Sequence, residues 1–155
     1  MMTPPVHAWD AFLESTPQGQ FQQASGWARV KAEEGWQVLR LGLAAGAGPS
    51  WGAQILWKET RPGRVGYVSK GPVLAEESPA TIATALTHLR QAARQLGLRA
   101  LVVQPPDESR ISAADLCRQG FSALPLPGVI SATALVDLRG GPDAFEARMN
   151  RRTRQ

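Results

Sequence analysis

Between Pro79 and Leu96 the apolar residues Ile82, Leu86, Leu89, Ala93 and Leu96 recur at steps of 4, 3, 4 and 3. That spacing places all five on one stripe of an α-helix, and such a stripe has to be buried against another layer. Ser78 is placed to cap the helix, Pro79 to take its first position and Gly97 to end it. Ala100 to Val103 then form a short continuous apolar run, which predicts an interior strand lying parallel to a neighbour. Upstream, Trp36 to Leu43 alternates in part between apolar and polar, and Trp51 to Lys58 follows after a turn of Gly46, Gly48 and Pro49. A hairpin is the reading. A second turn, Arg61 to Arg64, leads into a short strand from Val65 to Val68. A meander that feeds a helix and then an interior strand predicts a three-layer α/β domain with a mixed, mostly antiparallel sheet.

The remaining elements follow from shorter signals. Residues 8–15 read as an amphipathic helix with Trp9, Phe12 and Leu13 on one face, stopped by Pro17 and Gly19. Ser25 to Glu34 reads as a second helix, with Ser25 as N-cap and Gly35 just past the end. On it Trp27, Val30, Lys31 and Glu34 share one face; Trp27 is expected to pack inward, with Lys31 emerging at the rim. Ile111 to Arg118 is a short helix ending at Gly120, and 121–124 and 131–138 are candidate strands. Pro142 and the acids Asp143 and Glu146 mark the start of a last helix, expected to run on to Gln155.

Composition narrows the functional classes. A chain of 155 residues, 43% hydrophobic and 19% charged, has the profile of one globular domain with a real core. Its 17 Lys and Arg exceed its 13 Asp and Glu, yet four arginines lie in residues 148–155; without those eight residues bases and acids balance at 13 each. The end is either a phosphate-seeking tail or a solvated helix face. All five tryptophans fall within the first 57 residues, which points to a core built early in the chain. The start lacks the basic and apolar regions of a signal peptide, and no apolar run is long enough to span a bilayer, so a cytoplasmic chain is expected. With His7 and His88 far apart and Cys117 alone, no metal site is read, and Cys117 is taken as a small buried hydrophobe. Gly46 to Gly48 is not followed by a helix, so it is no phosphate cradle. Arg94 to Arg99 lies at a helix end, which discounts it as an acetyl-CoA loop.

Two lysines stand out. Lys31 follows Trp27 by one turn; it either snorkels without a role or offers a point charge to a phosphate in a groove. Lys70 precedes Gly71 and Pro72 at a strand end, where a glycine lets a ligand approach the backbone.

Several segments together resemble one family. Phe21 to Lys31 followed by Gly35-Trp36 resembles the opening of the Fem family (FemABX) of peptidoglycan interpeptide-bridge aminoacyltransferases. Tyr67-Val-Ser-Lys70-Gly71-Pro72-Val73 is similar to its aromatic-x-Pro-Arg-Gly-Pro-Val segment, with Ser69 in place of proline. Leu116 with Gly120-Phe121, Thr133 to Leu138, and Phe145 to Gln155 with Met149 and Thr153-Arg154 also fall in the family's order. The resemblance implies a fold like that of N-acetyltransferases (GNAT-like). It implies residues 1–141 as a precursor-binding first domain and residues 142–155 as the start of the helix leading to a second domain that this sequence lacks. The implied activity is transfer of an aminoacyl group from aminoacyl-tRNA to the stem peptide of a lipid- or UDP-linked muropeptide. The tRNA would be bound through the second domain, contact with the inner membrane face would be peripheral, and no cofactor is implied. Lys31 would be a diphosphate ligand with Trp27 beside it, and Lys70, Gly71 and Arg154 would line the groove. Many members carry an acid before proline after the interior strand; here it is Gln104-Pro105, with Asp107 nearby, so no catalytic residue is assigned. Two other readings stay open: a non-catalytic binding module for a diphosphate-containing precursor, and a small nucleic-acid-binding protein using its arginine-rich end.

Overall fold

The structure is a computed structural model that describes residues 4–45, 48–123 and 141–149. The chain divides into two units, Met1–Ala123 and Leu124–Gln155. In the first, helix α1 (Val6–Ser15) and a 3-10 turn, η1 (Phe21–Gln23), lead to helix α2 (Ser25–Glu33). Strands β1 (Gln37–Ala45), β2 (Gly48–Thr60) and β3 (Gly63–Ser69) follow, with a two-residue strand β4 (Val73–Leu74). Helix α3 (Pro79–Gln95), strand β5 (Leu98–Gln104) and helix α4 (Ala113–Arg118) complete the unit. Of the second unit, helix α5 (Gly141–Arg148) and Met149 are described. The strands expected at 131–138 and the continuation of the last helix past 149 lie outside the described residues; 121–123 carry no strand.

The sheet order is β1-β2-β3-β5, antiparallel except for the parallel pair β3–β5, with β4 antiparallel to β2. Alternation along β2 explains the layers. Trp51, Ala53 and Ile55 point to one face, where they join Leu41, Val68 and the α3 residues Ile82, Ala85, Leu86 and Leu89 in the main core. Gly52 and Gln54 point to the other. A side chain at Gly52 would lie 2.6 Å from the ring of Trp9 and 2.8 Å from that of Phe12, so only glycine lets α1 sit directly on the sheet. Trp9, Phe12, Leu13 and Val73 form the core of that second layer.

Helix α3 forms as the periodicity predicts: Ser78 Oγ accepts the Thr81 N–H at 3.1 Å, Pro79 opens the helix, and Gly97 follows it at φ +64°. The buried stripe ends on Ala92, while Ala93 and Leu96 are half-buried, because 3.6 residues per turn drifts against a strict 4-3 alternation. β5 is parallel, as the apolar run predicts, but Ala100 is exposed and Leu101 to Val103 are half-buried among the described residues.

Two expectations about the early helices are corrected. Ser25 is the first helical residue of α2, and the preceding Ala24 supplies no side-chain cap. Instead Asp10 of α1 accepts the Ser25 N–H at 2.9 Å and its hydroxyl as well, so the two helices are joined end to side by one carboxylate. The buried residues of α2 are Ser25 and Ala28, so the face of Trp27, Val30 and Lys31 is turned outward: Trp27 is half-buried and Val30 is exposed. Likewise only Trp9 and Trp51 of the five tryptophans enter the cores. Trp27, Trp36 and Trp57 each lie beneath a cation: Lys31 at 5.0 Å, Lys58 at 4.6 Å and Arg64 at 5.3 Å from the ring centroids.

Candidate functional site

The site is built around a break in the strand ladder. β3 pairs with β2 as far as Leu56↔Tyr67, and β4 takes up the same edge at Gly52↔Val73. Between them Lys70, Gly71 and Pro72 make no ladder pair with β2, and on that side the edge of β2 at Gln54 has no strand partner. The carboxamide of Gln23 fills the break. Its Oε1 accepts the Gln54 N–H at 2.7 Å, and its Nε2 donates to the carbonyls of Ser69 at 2.6 Å and Gln54 at 3.4 Å. A side-chain amide thus does what a strand backbone would do, which a fully buried glutamine must in order to be tolerated.

Gly71 is explained by this arrangement. A side chain there would lie 2.8 to 2.9 Å from the atoms of the Gln23 carboxamide. The close approach expected at Gly71 is therefore made by Gln23 of the same chain. The peptides before Pro62 and Pro72 are cis, and Lys70 has φ +50°, in the left-handed region that few non-glycine residues occupy.

The network continues inward. Gln54 Nε2 donates to the carbonyls of Gln22 and Ala24, and its Oε1 accepts from Arg40 Nε at 3.0 Å. Trp9 Nε1 donates to the Gln23 carbonyl at 2.8 Å, and the Arg40 guanidinium lies 5.9 Å from the Trp9 ring centroid. Burial holds the Arg40 guanidinium below its ordinary range, opposed by the charge of Asp10. None of Gln23, Gln54, Arg40 and Asp10 stands out as functional in the sequence. The available signal is Gln54 itself, a polar residue inside the apolar run Gly52 to Leu56 of a central strand.

The two candidate lysines flank η1. Phe21 of η1 meets Trp27 edge to face, with ring centroids 5.4 Å apart, and Lys31 lies over the same Trp27 ring. Gln23, two residues on, holds Ser69 and packs against Gly71 beside Lys70. The lysines share an electrostatic arrangement. The Lys31 side chain is 24% exposed and pairs at 2.8 Å with Glu34, whose side chain is 53% exposed. The Lys70 side chain is 17% exposed and pairs at 2.5 Å with Asp107, whose side chain is 78% exposed. Each half-buried cation is thus held by an acid that stands mostly in water and can leave at small cost. At the carboxyl end of the parallel pair, the Tyr67 hydroxyl donates to Gln104 Oε1 at 2.5 Å, and the Gly71 N–H donates to the Gln104 carbonyl at 3.0 Å. Arg154 lies outside the described residues.

A separate cleft of about 530 Å³ is lined by Pro17, Gln18, residues 74–78 and Arg110. Within it burial raises the Glu77 carboxyl, but hydrogen bonds from the Arg110 N–H, Gln18 and Ser109 outweigh that and hold it below its ordinary range. None of Trp27, Lys31, Lys70 and Gly71 lines this cleft. Among the described residues no three His, Cys, Asp or Glu side chains gather as metal ligands, and no helix is long and apolar enough to cross a membrane. Cys117, expected to be buried, is exposed near the end of α4.

A mixed sheet with α1 and α2 on one face, α3 on the other and a parallel pair bridged by α3 defines an N-acetyltransferase-like domain, as the resemblance implies. A ribosomal-protein-alanine N-acetyltransferase from Brucella melitensis biovar Abortus superposes with TM-score 0.52 at 14% identity, over 85% of this chain and 92% of that one. The crystal structure of FemX superposes with TM-score 0.64 at 24% identity, over 76% of this chain and 30% of that one. The FemAB family model matches residues 5–117, and the chain belongs to that family. The Lipid II:glycine glycyltransferase of Staphylococcus saprophyticus is 29% identical over 103 residues, which are 65% of this chain and 25% of that protein. This chain therefore spans about a quarter of that relative and under a third of FemX.

Proposed function

We propose that this chain is the precursor-binding part of an aminoacyltransferase that extends the stem peptide of a peptidoglycan precursor. The reaction would join the carbonyl of an aminoacyl ester to an amine of the stem peptide. The ester C–O bond breaks, an amide forms, and the amine proton passes to the departing hydroxyl. The donor in this reading is an aminoacyl-tRNA, held by a second domain beyond residues 1–141, with residues 142–155 beginning the helix that leads to it. The work is cytoplasmic, at the inner membrane face. The family membership and the glycyltransferase relative support the reading.

The observation that carries it is Lys31. A cation over an aromatic face, half out of water and loosely held by Glu34, is suited to exchange its carboxylate for the diphosphate of a lipid- or UDP-linked muropeptide. Lys70 and Arg154 are the further cations proposed for the groove, with Gly71 at its wall. No general base is assigned. Gln104 stands where an acid would be expected, and its Oε1 is engaged by Tyr67. The chemistry tolerates this, because the ester is already activated and positioning supplies much of the rate.

Titration of a UDP-linked muropeptide onto wild-type and Lys31→Ala protein tests the reading. The variant should bind about tenfold more weakly, equivalent to about 1.4 kcal/mol. Equal affinities at moderate salt would overturn it. The alternative of a non-catalytic binding module is favoured by Gln104 and predicts the same binding with no transfer when an aminoacyl donor is supplied.

A further inference from the structure

We infer that Lys70 is a carboxylate-binding site that Asp107 occupies until a ligand's own carboxylate displaces it. The inference rests on the precursor-binding reading only for the identity of the ligand, since a stem peptide carries carboxylates.

Four observations point to exchange rather than a fixed ion pair. First, the Lys70 backbone sits at φ +50°, a conformation disfavoured for lysine that the surrounding bonds impose. The Ser69 carbonyl is taken by Gln23 and the Gly71 N–H by Gln104, so the turn is pinned on both sides of Lys70. Second, pinning holds the side chain where it is only 17% exposed, while its partner is 78% exposed. The cation is built into the fold and the acid is not: Asp107 lies in a turn after Pro105 and Pro106, and its carboxylate has no other partner among the described residues. Third, the partner at 2.5 Å is itself a carboxylate, so a second carboxylate fits the same position. Fourth, the neighbouring Gln104 has a side-chain donor to spare. Gln104 receives the Tyr67 hydroxyl on Oε1, and its Nε2 has no partner among the described residues. Gln104 adjoins Lys70 through the hydrogen bond from the Gly71 N–H to its carbonyl.

The position also fits. β3 and β5 are parallel and end at Ser69 and Gln104, so Lys70 and Asp107 both follow the carboxyl ends of a parallel pair. Open α/β sheets bind ligands beyond those ends. The exchange breaks no covalent bond: one carboxylate leaves the ammonium for water and another takes its place. Asp107 is then a positioning residue that sets how readily Lys70 accepts a ligand.

The chain has three lysines, Lys31, Lys58 and Lys70, so their side-chain resonances can be assigned by substitution. Sodium acetate is titrated against the full chain with ¹³C-labelled lysine, with sodium chloride as the control. The Lys70 Cε signal should shift to saturation, and in Asp107→Asn the midpoint should fall several-fold. No acetate-specific shift at Lys70, or the same midpoint in both proteins, would overturn the inference whatever the fate of the precursor-binding reading. A second arm compares a UDP-linked muropeptide with its terminally amidated form. Wild type should prefer the free carboxylate, Asp107→Asn should prefer it more strongly, and Lys70→Met should bind both forms alike. Undiminished preference in Lys70→Met would overturn the inference. Saturable acetate binding with no muropeptide binding would leave the site standing and overturn the precursor-binding reading.

Discussion

Gln54 is the residue on which most of the candidate site depends. It takes part in hydrogen bonds with Gln23, Gln22, Ala24 and Arg40 while 1% exposed. Replacing its side chain with leucine keeps the volume but leaves the Arg40 Nε and the carbonyls of Gln22 and Ala24 without their donor or acceptor. Each buried polar group stranded in this way costs about 1 to 3 kcal/mol, and more where it is charged. Gln54→Leu should therefore lower the unfolding free energy by about 3 kcal/mol or more, read by urea denaturation. A loss below 1 kcal/mol would mean that water or a rearranged Arg40 replaces the network. Lys31 and Lys70 carry the opposite expectation. Their partners stand in water, so their substitution should move binding far more than stability.

At the scale of elements, the junction of α1 and α2 is the most exposed to test. Asp10 supplies the N-terminal acceptor that α2 lacks in its own sequence. Asp10→Ala should cost about 1 kcal/mol by removing that cap, seen as a lower urea midpoint with an unchanged slope. Asp10→Asn should recover much of it, because an amide oxygen still accepts the Ser25 N–H. This junction also shows why some elements were legible in the sequence and others were not. Helix α3 carries its stripe, its cap Ser78 and its stop Gly97 within 20 consecutive residues, so local pattern was enough. Helix α2 is nine residues long, and its cap comes from residue 10. Trp27 drew the expectation of an inward face because tryptophan usually buries; here Phe21 and Lys31 shield its ring instead. The lysines could be picked out because cations at a helix rim and at a strand end are local features. The acids that hold them and the glutamine that pins Lys70 lie 3 to 47 residues away, and only the fold shows that they meet.

For the molecule as a whole, charge distribution separates the rival functions. Outside residues 148–155 bases and acids are balanced, so recognition of an anionic precursor would use one or two placed cations. Its affinity should then fall gently with salt. Nucleic-acid binding through four clustered arginines would fall steeply, with a log–log slope of about −3.6 on duplex DNA. Measuring both ligands between 50 and 200 mM salt decides between them, and tight, steeply salt-dependent DNA binding would favour the nucleic-acid reading.

The glutamine that closes the gap in the ladder also has a thermodynamic consequence. Its three-residue turn touches Trp27 through Phe21 and the Lys70 turn through Gln23, so neither lysine segment can shift without altering the other's support. Two anchoring points for a long, flexible ligand are thereby joined by one short rigid strut. Binding at one end lowers the ordering entropy still owed at the other, and the two contacts contribute jointly, a coupling that a double-mutant cycle would register as non-additivity.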